Sequence, residues 1–156
     1  MENNSDFINL HNITLNLYRD WAVWDELMCF QYKDILPKYP DFFITIFGAV
    51  QDRMLLEISE IFNKSSDKRT IGISNILNNI NDQKLKIRLE EIVYNRHCLF
   101  KFRLTKWRNK VIAHKENELV CNMKKFEEDF ALPRCEIKDV LDDLCEFLVE
   151  YNKFFN

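Results

Sequence analysis

The chain has very few of the residues that make tight turns. Its 156 residues include only two glycines, Gly48 and Gly72, and three prolines, Pro37, Pro40 and Pro133. β-Hairpins depend on such residues, so their scarcity disfavours β architectures. The chain is nevertheless 47% apolar and 30% charged, which is typical of a globular protein that buries a core of its own.

The chain also lacks the patterns of secreted, metal-binding and membrane proteins. Its five cysteines include no Cys-x-x-Cys pair, so we interpret them as buried free thiols and predict no metal and no cofactor. His97 precedes Cys98, but adjacent helical residues point about 100° apart, which does not suit a metal site. No apolar run approaches the roughly 18 residues of a membrane span, and the first residues do not resemble a signal peptide. These absences predict a cytoplasmic protein with no membrane partner.

Apolar residues recur at helical spacing in five parts of the chain. The predicted helices cover Phe7 to about Lys33, Phe42 to about Asn63, Ile71–Ile80, Lys84 to about His114 and Glu136–Phe155. The expected N-caps are Ser5-Asp6, Asp41 and Asp82. The second helix is the most apolar and is expected at the centre of the core. We therefore predict one all-α domain over residues 1–156, a bundle of four to five helices with long antiparallel members.

The fourth predicted helix is long and basic. Continuous, it would be roughly 45 Å long, so we expect a kink near its end. Residues 84–115 contain ten Lys or Arg and two Glu, a local charge of +8, whereas residues 116–156 contain five basic and eleven acidic residues, a local charge of −6. Two interpretations stay open. The basic helix attracts a polyanion, or its cations pair with the acidic segment across the fold.

One apolar stripe of this helix contains charged residues. At about 100° per residue, Leu89, Phe100 and Trp107 share a stripe, with Arg96 and Arg103 inside it. Burial of two arginines is costly unless they are paired or line a wet cleft. Either part of the stripe faces a groove or another subunit, or the arginine stems cover apolar surface while their heads reach water.

The end of this helix, Trp107–Lys115 (WRNKVIAHK), combines a cation, an amide and a titratable base. Arg108 carries a planar charge that suits phosphate oxygens, and His114 takes or gives a proton near neutral pH. Together they supply the anion clamp and the proton shuttle that phosphodiester cleavage without a metal requires. The alternative is a charge pair that stabilises the C-terminus of the helix.

The string RNKVIAH, from Arg108 to His114, resembles the R-x(4–6)-H signature of HEPN domains, in the form with a polar residue directly after the arginine. The helical pattern over about Asp6–Phe155 is also similar to that superfamily, most of all to its bacterial abortive-infection (AbiU-type) branch. The resemblance implies a metal-independent endoribonuclease, homodimeric with a composite site, that acts as a toxin or phage-defence effector. Attack by the ribose 2′-hydroxyl would leave a 2′,3′-cyclic phosphate, so DNA should be resistant.

The resemblance also implies roles for individual residues. His114 would transfer the proton at the 2′-hydroxyl or the leaving oxygen, Arg108 would hold the scissile phosphate, and Asn109 would orient one of these or bind a phosphate oxygen. Nearby cations are the candidates for further RNA contacts: Lys106, Lys110, Lys115 and Arg103. The chain shows no nucleotidyltransferase domain, so an antitoxin is expected to be a separate protein.

Two other functions stay open. The 13 phenylalanines and three tryptophans equally suit a non-catalytic helical module that dimerises or binds RNA. A third hypothesis is a small-ligand pocket between helices lined by Arg96 and Arg103. Substitution of His114 separates the first two functions, because it would abolish cleavage in a nuclease and lower stability or dimerisation in a module.

Overall fold

The computed structural model describes residues 4–27, 34–63, 72–109 and 130–155. These residues form six α-helices and no β-strand, which confirms the predicted all-α class. The helices are α1 (Asn4–Leu27), α2 (Pro40–Ile61), α3 (Ile73–Asn78), α4 (Gln83–Glu90), α5 (Cys98–Trp107) and α6 (Arg134–Phe155). A 3₁₀ turn (Leu36–Lys38) precedes α2, and a π-helical turn (Glu91–Asn95) follows α4. None of the described helices is both long and apolar enough to cross a membrane.

The starts of α1 and α2 differ from the predicted ones. Because α1 begins at Asn4, Ser5 and Asp6 lie inside its first turn and do not cap it. α2 begins at Pro40, since a first helical residue does not need the N–H that proline lacks, and Asp41 therefore also lies in the first turn. Both aspartates still lie where the helix dipole favours negative charge. The predicted end of the first helix, residues 28–33, lies outside the described residues.

The buried residues of α2 lie in its C-terminal half, and Phe47 and Val50 pack against the core while partly exposed. Met54, Leu55 and Ile58 are fully buried there, whereas Phe42 and Ile44 in the first turns are exposed. The prediction that this helix lies at the centre of the core therefore holds for its C-terminal turns and not for its first turn. Apolar composition does not determine which turns of a helix are covered by its neighbours.

The connection from α2 to α4 follows its sequence signals. Gly72 is the N-cap of α3, and a Cβ at this position would lie 3.1 Å from the Asn63 carbonyl oxygen. This contact would be tighter than an ordinary van der Waals contact, so glycine suits the close approach of the backbone here. The Asp82 carboxylate accepts a hydrogen bond of 2.8 Å from the Leu85 N–H, which confirms the predicted N-cap of α4.

α6 has an uninterrupted apolar face that packs against α1, α4 and the π-helical turn. All positions predicted for this face are buried: Ile137, Val140, Leu141, Leu144, Phe147, Leu148 and Tyr151. Burial of one such side chain contributes roughly 1.5–3 kcal/mol, so this face is a main source of stability.

The fourth predicted helix is interrupted near its middle. In the π-helical turn the Arg96 N–H donates to the Glu91 carbonyl at 3.4 Å, five residues back, so this turn contains one residue more than an α-helical turn. α5 then begins with a bond of 2.9 Å from the Lys101 N–H to the His97 carbonyl. The break therefore lies at residues 91–97, and the kink predicted near residue 114 lies outside the described residues.

The extra residue shifts the buried positions that follow it. His97 and Leu104 are buried, whereas Arg96 is exposed and Leu99 is 73% exposed. The predicted stripe therefore holds at Phe100, which is buried, but was wrong at Arg96, because one inserted residue shifts the inward position.

The described cysteines differ from their interpretation as buried thiols. Cys98 and Cys135 are exposed and Cys145 is partly exposed, and all three are free. Cys98 directly follows the break in the helix, where the shift described above leaves it outside the core. Cys29 and Cys121 lie outside the described residues.

Candidate functional site

The structure describes part of the predicted site. The predicted site residues within the described part of the chain are Arg103, Lys106, Arg108 and Asn109. The remaining ones, His114, Lys110 and Lys115, lie outside it. The described part of the site is therefore its arginine side, around Arg108.

Arg108 directly follows α5 and faces α2. Its Nη1 lies 3.5 Å from Oγ of Ser59, a buried residue of α2. Its Nε and Nη2 donate to Oδ1 of Asn109 at 3.0 and 2.9 Å. Arg108 therefore lies on the side of α5 that faces Ser59.

Asn109 occupies one edge of the Arg108 guanidinium. The Nε and Nη2 edge is bonded to the amide oxygen, and the Nη1 end points toward Ser59. A guanidinium binds a phosphate through two parallel N–H donors, and it has more donors than these contacts use. The arrangement orients the cation and leaves it capacity to bind an anion.

A groove of about 280 Å³ lies beside Arg108, between the C-terminal end of α2 and α5. It is lined by Ser59, Phe62, Asn63, Lys101, Leu104, Thr105 and Arg108. None of these lining residues is acidic, and two are cations. An anion in this groove would therefore meet a positive potential.

The C-terminal end of α5 is held close to the start of α6. The Trp107 indole Nε1 donates to the Phe130 carbonyl at 2.6 Å, and the Phe102 and Phe130 rings lie 6.3 Å apart. The Lys106 ammonium lies 5.4 Å from the centre of the Phe102 ring, within the range of a cation–π contact. Phe130 therefore lies beside Trp107, the last residue of α5.

The opposite side of α5 forms a larger cleft, of about 500 Å³, with α6. Here Arg96 Nη1 contacts Asp143 at 3.0 Å and Glu146 at 2.9 Å, and Arg103 pairs with Glu136. The hydrogen bond that Arg96 donates to Glu146 and the charges of the two carboxylates raise the pKa of Arg96, against a lowering by desolvation. The cleft thus contains the arginines proposed for a small-ligand pocket, with their charges already paired.

The two interpretations of the basic segment now apply to different residues. Arg88 contacts Glu150 of α6 at 2.9 Å, and Arg96 and Arg103 also pair with α6 as described above. These three arginines follow the interpretation in which the acidic segment neutralises the basic one. Arg108 differs, because within the described part of the chain it has no acidic partner.

His97 joins the start of α5 to α6. It is 8% exposed, and its Nε2 lies 2.7 Å from Oδ2 of Asp143. A buried polar side chain needs such a partner, so the bond fixes the position at which α5 begins. Within the described residues no group of three or more His, Cys, Asp or Glu is placed to hold a metal ion.

Asp142 joins α6 to α1. It accepts hydrogen bonds from Lys138 and from the Tyr18 hydroxyl. These bonds, that from Lys138 first, lower the pKa of the Asp142 carboxyl, whereas burial and then the bond to Asp142 raise the pKa of Tyr18. The pair stabilises the packing of the two helices while Asp142 is ionised.

Ser59 is the site residue that the sequence did not reveal. It is a small polar residue among the buried positions Leu55, Ile58 and Phe62 of α2. A buried hydroxyl requires a partner, and this requirement was the available signal. The identity of that partner, Arg108, follows only from the packing of α5 on α2.

The comparisons with known proteins give one match. A model of the AbiU2 family of HEPN domains matches residues 7–156. Neither the curated proteins nor the solved structures contain a match to the chain. The matched range includes all of α2 to α5 and the string from Arg108 to His114, and it confirms the resemblance to the AbiU-type branch.

Proposed function

Because the chain belongs to the AbiU2 family of HEPN domains, which is associated with abortive infection, we propose that it is a metal-independent endoribonuclease acting as a toxin or phage-defence effector. The observation that most supports this function is the setting of Arg108. This arginine borders a groove whose described lining contains no acidic residue, and its partners Ser59 and Asn109 are neutral. Such partners orient a charge without cancelling it, which is what binding of a phosphate requires.

In the proposed reaction the ribose 2′-oxygen attacks the adjacent phosphorus and the 5′-oxygen leaves. The products are a 2′,3′-cyclic phosphate and a 5′-hydroxyl, so one proton leaves the 2′-hydroxyl and one is delivered to the 5′-oxygen. His114 is proposed to transfer the proton at one of these oxygens. Arg108 is proposed to hold the phosphate and to stabilise the charge that develops on its oxygens, with Asn109 orienting the guanidinium.

The neighbouring cations are proposed as further RNA contacts. Lys106 precedes the motif, Lys110 lies inside it and Lys115 follows it, and each would neutralise backbone charge. Arg103 would have to exchange its bond with Glu136 for one with a phosphate. We place this activity in the cytoplasm, in a homodimer whose two motifs form a composite site, with a separate antitoxin protein as the control.

The first test is RNA cleavage with EDTA present, comparing the wild type with His114→Ala and with His11→Ala. His11 is an exposed histidine on α1, far in sequence from the motif, and serves as the matched control. We expect cleavage by the wild type and His11→Ala, a loss of about 10²–10⁴-fold in His114→Ala, and 2′,3′-cyclic phosphate ends. Equal cutting by all three proteins, or products with 5′-phosphate ends, would contradict the proposal.

A second candidate function is a non-catalytic dimerisation or RNA-binding module. It is favoured by exposed apolar residues at one end of α1 and α6, where Ile8 and Val149 are about half exposed and border a groove of about 350 Å³. Its test is the molar mass in solution together with the cleavage assay above. A stable dimer that binds RNA and never cuts it would favour this module over the nuclease.

A further inference from the structure

We propose that the groove between α2 and α5 binds the RNA backbone beside the scissile phosphate. In this proposal Lys101 contacts a second phosphate, and Ser59 is a positioning residue that directs Arg108 into the groove. The proposal deepens the proposed function and takes from it the identity of the ligand, a single-stranded RNA. It adds two residues, from two different helices, that the motif does not contain.

The first support is the placement of the two cations along α5. Lys101, Thr105 and Arg108 line the same groove and are spaced by four and three residues, the spacing of one helical face. Seven residues correspond to about 10 Å along a helix axis. Two cations at this separation suit an extended polyanion better than a single small anion.

The second support is the way Lys101 is held. Its ammonium lies 4.7 Å from the centre of the Tyr94 ring, and the Tyr94 ring lies 6.4 Å from the ring of Phe62, a buried residue of the groove. The aromatic pair therefore restricts the lysine to the groove side of α5. A cation–π contact orients the ammonium without itself neutralising the charge.

The third support is the contact between Ser59 and Arg108. Ser59 is 6% exposed, and the distance from its Oγ to Nη1 of Arg108 is 3.5 Å, at the long limit of a hydrogen bond. A long bond is weak, so a phosphate oxygen in the groove can accept a hydrogen bond from this nitrogen. Asn109 meanwhile retains the other edge of the guanidinium.

The test of the groove is the salt dependence of RNA binding. The probe is a short fluorescein-labelled 2′-O-methyl oligouridine, which lacks the free 2′-hydroxyl and is not cut. The variants are Lys101→Gln and, as the matched control, Lys84→Gln. Lys84 is an exposed lysine of the same basic segment that does not line the groove, and its replacement changes the net charge equally.

We expect Lys101→Gln to weaken binding several-fold and to reduce the slope of log affinity against log salt by about 0.7, the effect of one phosphate contact on a single strand. Lys84→Gln should leave both unchanged. Equal slopes of log affinity against log salt for the two variants would overturn the proposal that the groove binds the RNA backbone, whatever the cleavage assay shows. Cleavage by the wild type combined with equal slopes would leave the nuclease standing and remove only the groove.

The test of Ser59 is a double-mutant cycle on cleavage rate with Arg108→Gln. We expect Ser59→Ala to lower kcat several-fold with little change in KM or in Tm, and Ser59→Thr, which keeps the hydroxyl, to restore part of the rate. In the Arg108→Gln background Ser59→Ala should have no further effect, because its role acts through that guanidinium. Additive losses, or a loss explained by a lower Tm, would overturn the positioning role.

Discussion

The two sides of α5 place arginines in opposite settings. On the α6 side Arg96 and Arg103 are bonded to carboxylates in a cleft of about 500 Å³. On the α2 side the partners of Arg108 are a hydroxyl and an amide, beside a groove of about 280 Å³. A guanidinium that is paired with a carboxylate presents little positive potential to an incoming phosphate. A guanidinium whose partners are neutral keeps its positive potential. The side of the helix, more than the number of cations, therefore decides which arginine can bind an anion.

The largest effect on RNA cleavage is expected from removing the charge of Arg108, on the α2 side of α5. Arg108→Gln should lower the rate of RNA cleavage by about 10²–10³-fold, the usual cost of losing a group that stabilises transition-state charge. Arg96→Gln should cleave like the wild type, and as a partly exposed ion pair it should cost only about 0.2–1 kcal/mol of unfolding free energy. Initial rates and urea denaturation measure both. A comparable loss of rate in Arg96→Gln would break the comparison between the two sides.

The register of α5 predicts a second, intermediate contrast. Leu104 is 1% exposed and borders the groove, whereas Leu99 is 73% exposed and borders the cleft. Leu104→Ala should therefore cost about 2–5 kcal/mol, and Leu99→Ala less than about 0.5 kcal/mol. Urea denaturation of the two variants gives the values. Similar costs for both leucines would contradict the register of the helix after the π-helical turn.

The smallest effects are expected from two carboxylates whose pKa values are shifted in opposite directions, Glu57 and Asp142. Oε2 of Glu57, on α2, is buried and has no hydrogen-bond partner within the described part of the chain, and burial raises the pKa of this carboxyl against a lowering by Arg53. The folded state therefore holds the proton more tightly than the unfolded state, and ionised Glu57 costs stability above its unfolded pKa. Glu57→Gln should raise Tm slightly at neutral pH, with the gain disappearing in acid.

Asp142 should show the reverse behaviour. Its pKa is lowered by the bonds from Lys138 and Tyr18, so its contribution to stability is present above the unfolded pKa and is lost as pH falls through the folded value. Asp142→Asn should therefore lower Tm at neutral pH, with the loss disappearing in acid. Thermal unfolding of both variants as a function of pH is the measurement. Changes of the same sign would show that the two carboxylates do not differ in setting.

The sequence predicted the fold best where a helix is uninterrupted. The buried face of α6 follows a period of 3.6 residues from Ile137 to Tyr151, so spacing alone identified it. The Asp82 cap was likewise a local signal. The π-helical turn was not predictable in this way, because the one additional residue that it contains does not change the overall composition of the predicted helix. The first buried residue after this turn, His97, is bonded to Asp143, which is 46 residues away in sequence.

The same distinction applies to the site. Arg108 and Asn109 are adjacent in sequence, and the motif identified both before their mutual hydrogen bonds were seen. Ser59 lies 49 residues before Arg108, on another helix. A single serine in an apolar helix has no spacing pattern of its own, so its role depended on the packing of α5 against α2. The catalytic assignment of His114 stays a prediction from the motif.

The π-helical turn has a consequence for comparisons among relatives. A chain that lacks one residue between Glu91 and Asn95 would continue the α-helix without interruption. Its counterpart of Arg108 would then turn by about 100° away from α2, even if every residue of the motif were retained. In an alignment this difference would appear only as a single gap far upstream of the motif. The length of this stretch, more than the identity of its residues, should separate relatives that keep the groove from those that do not.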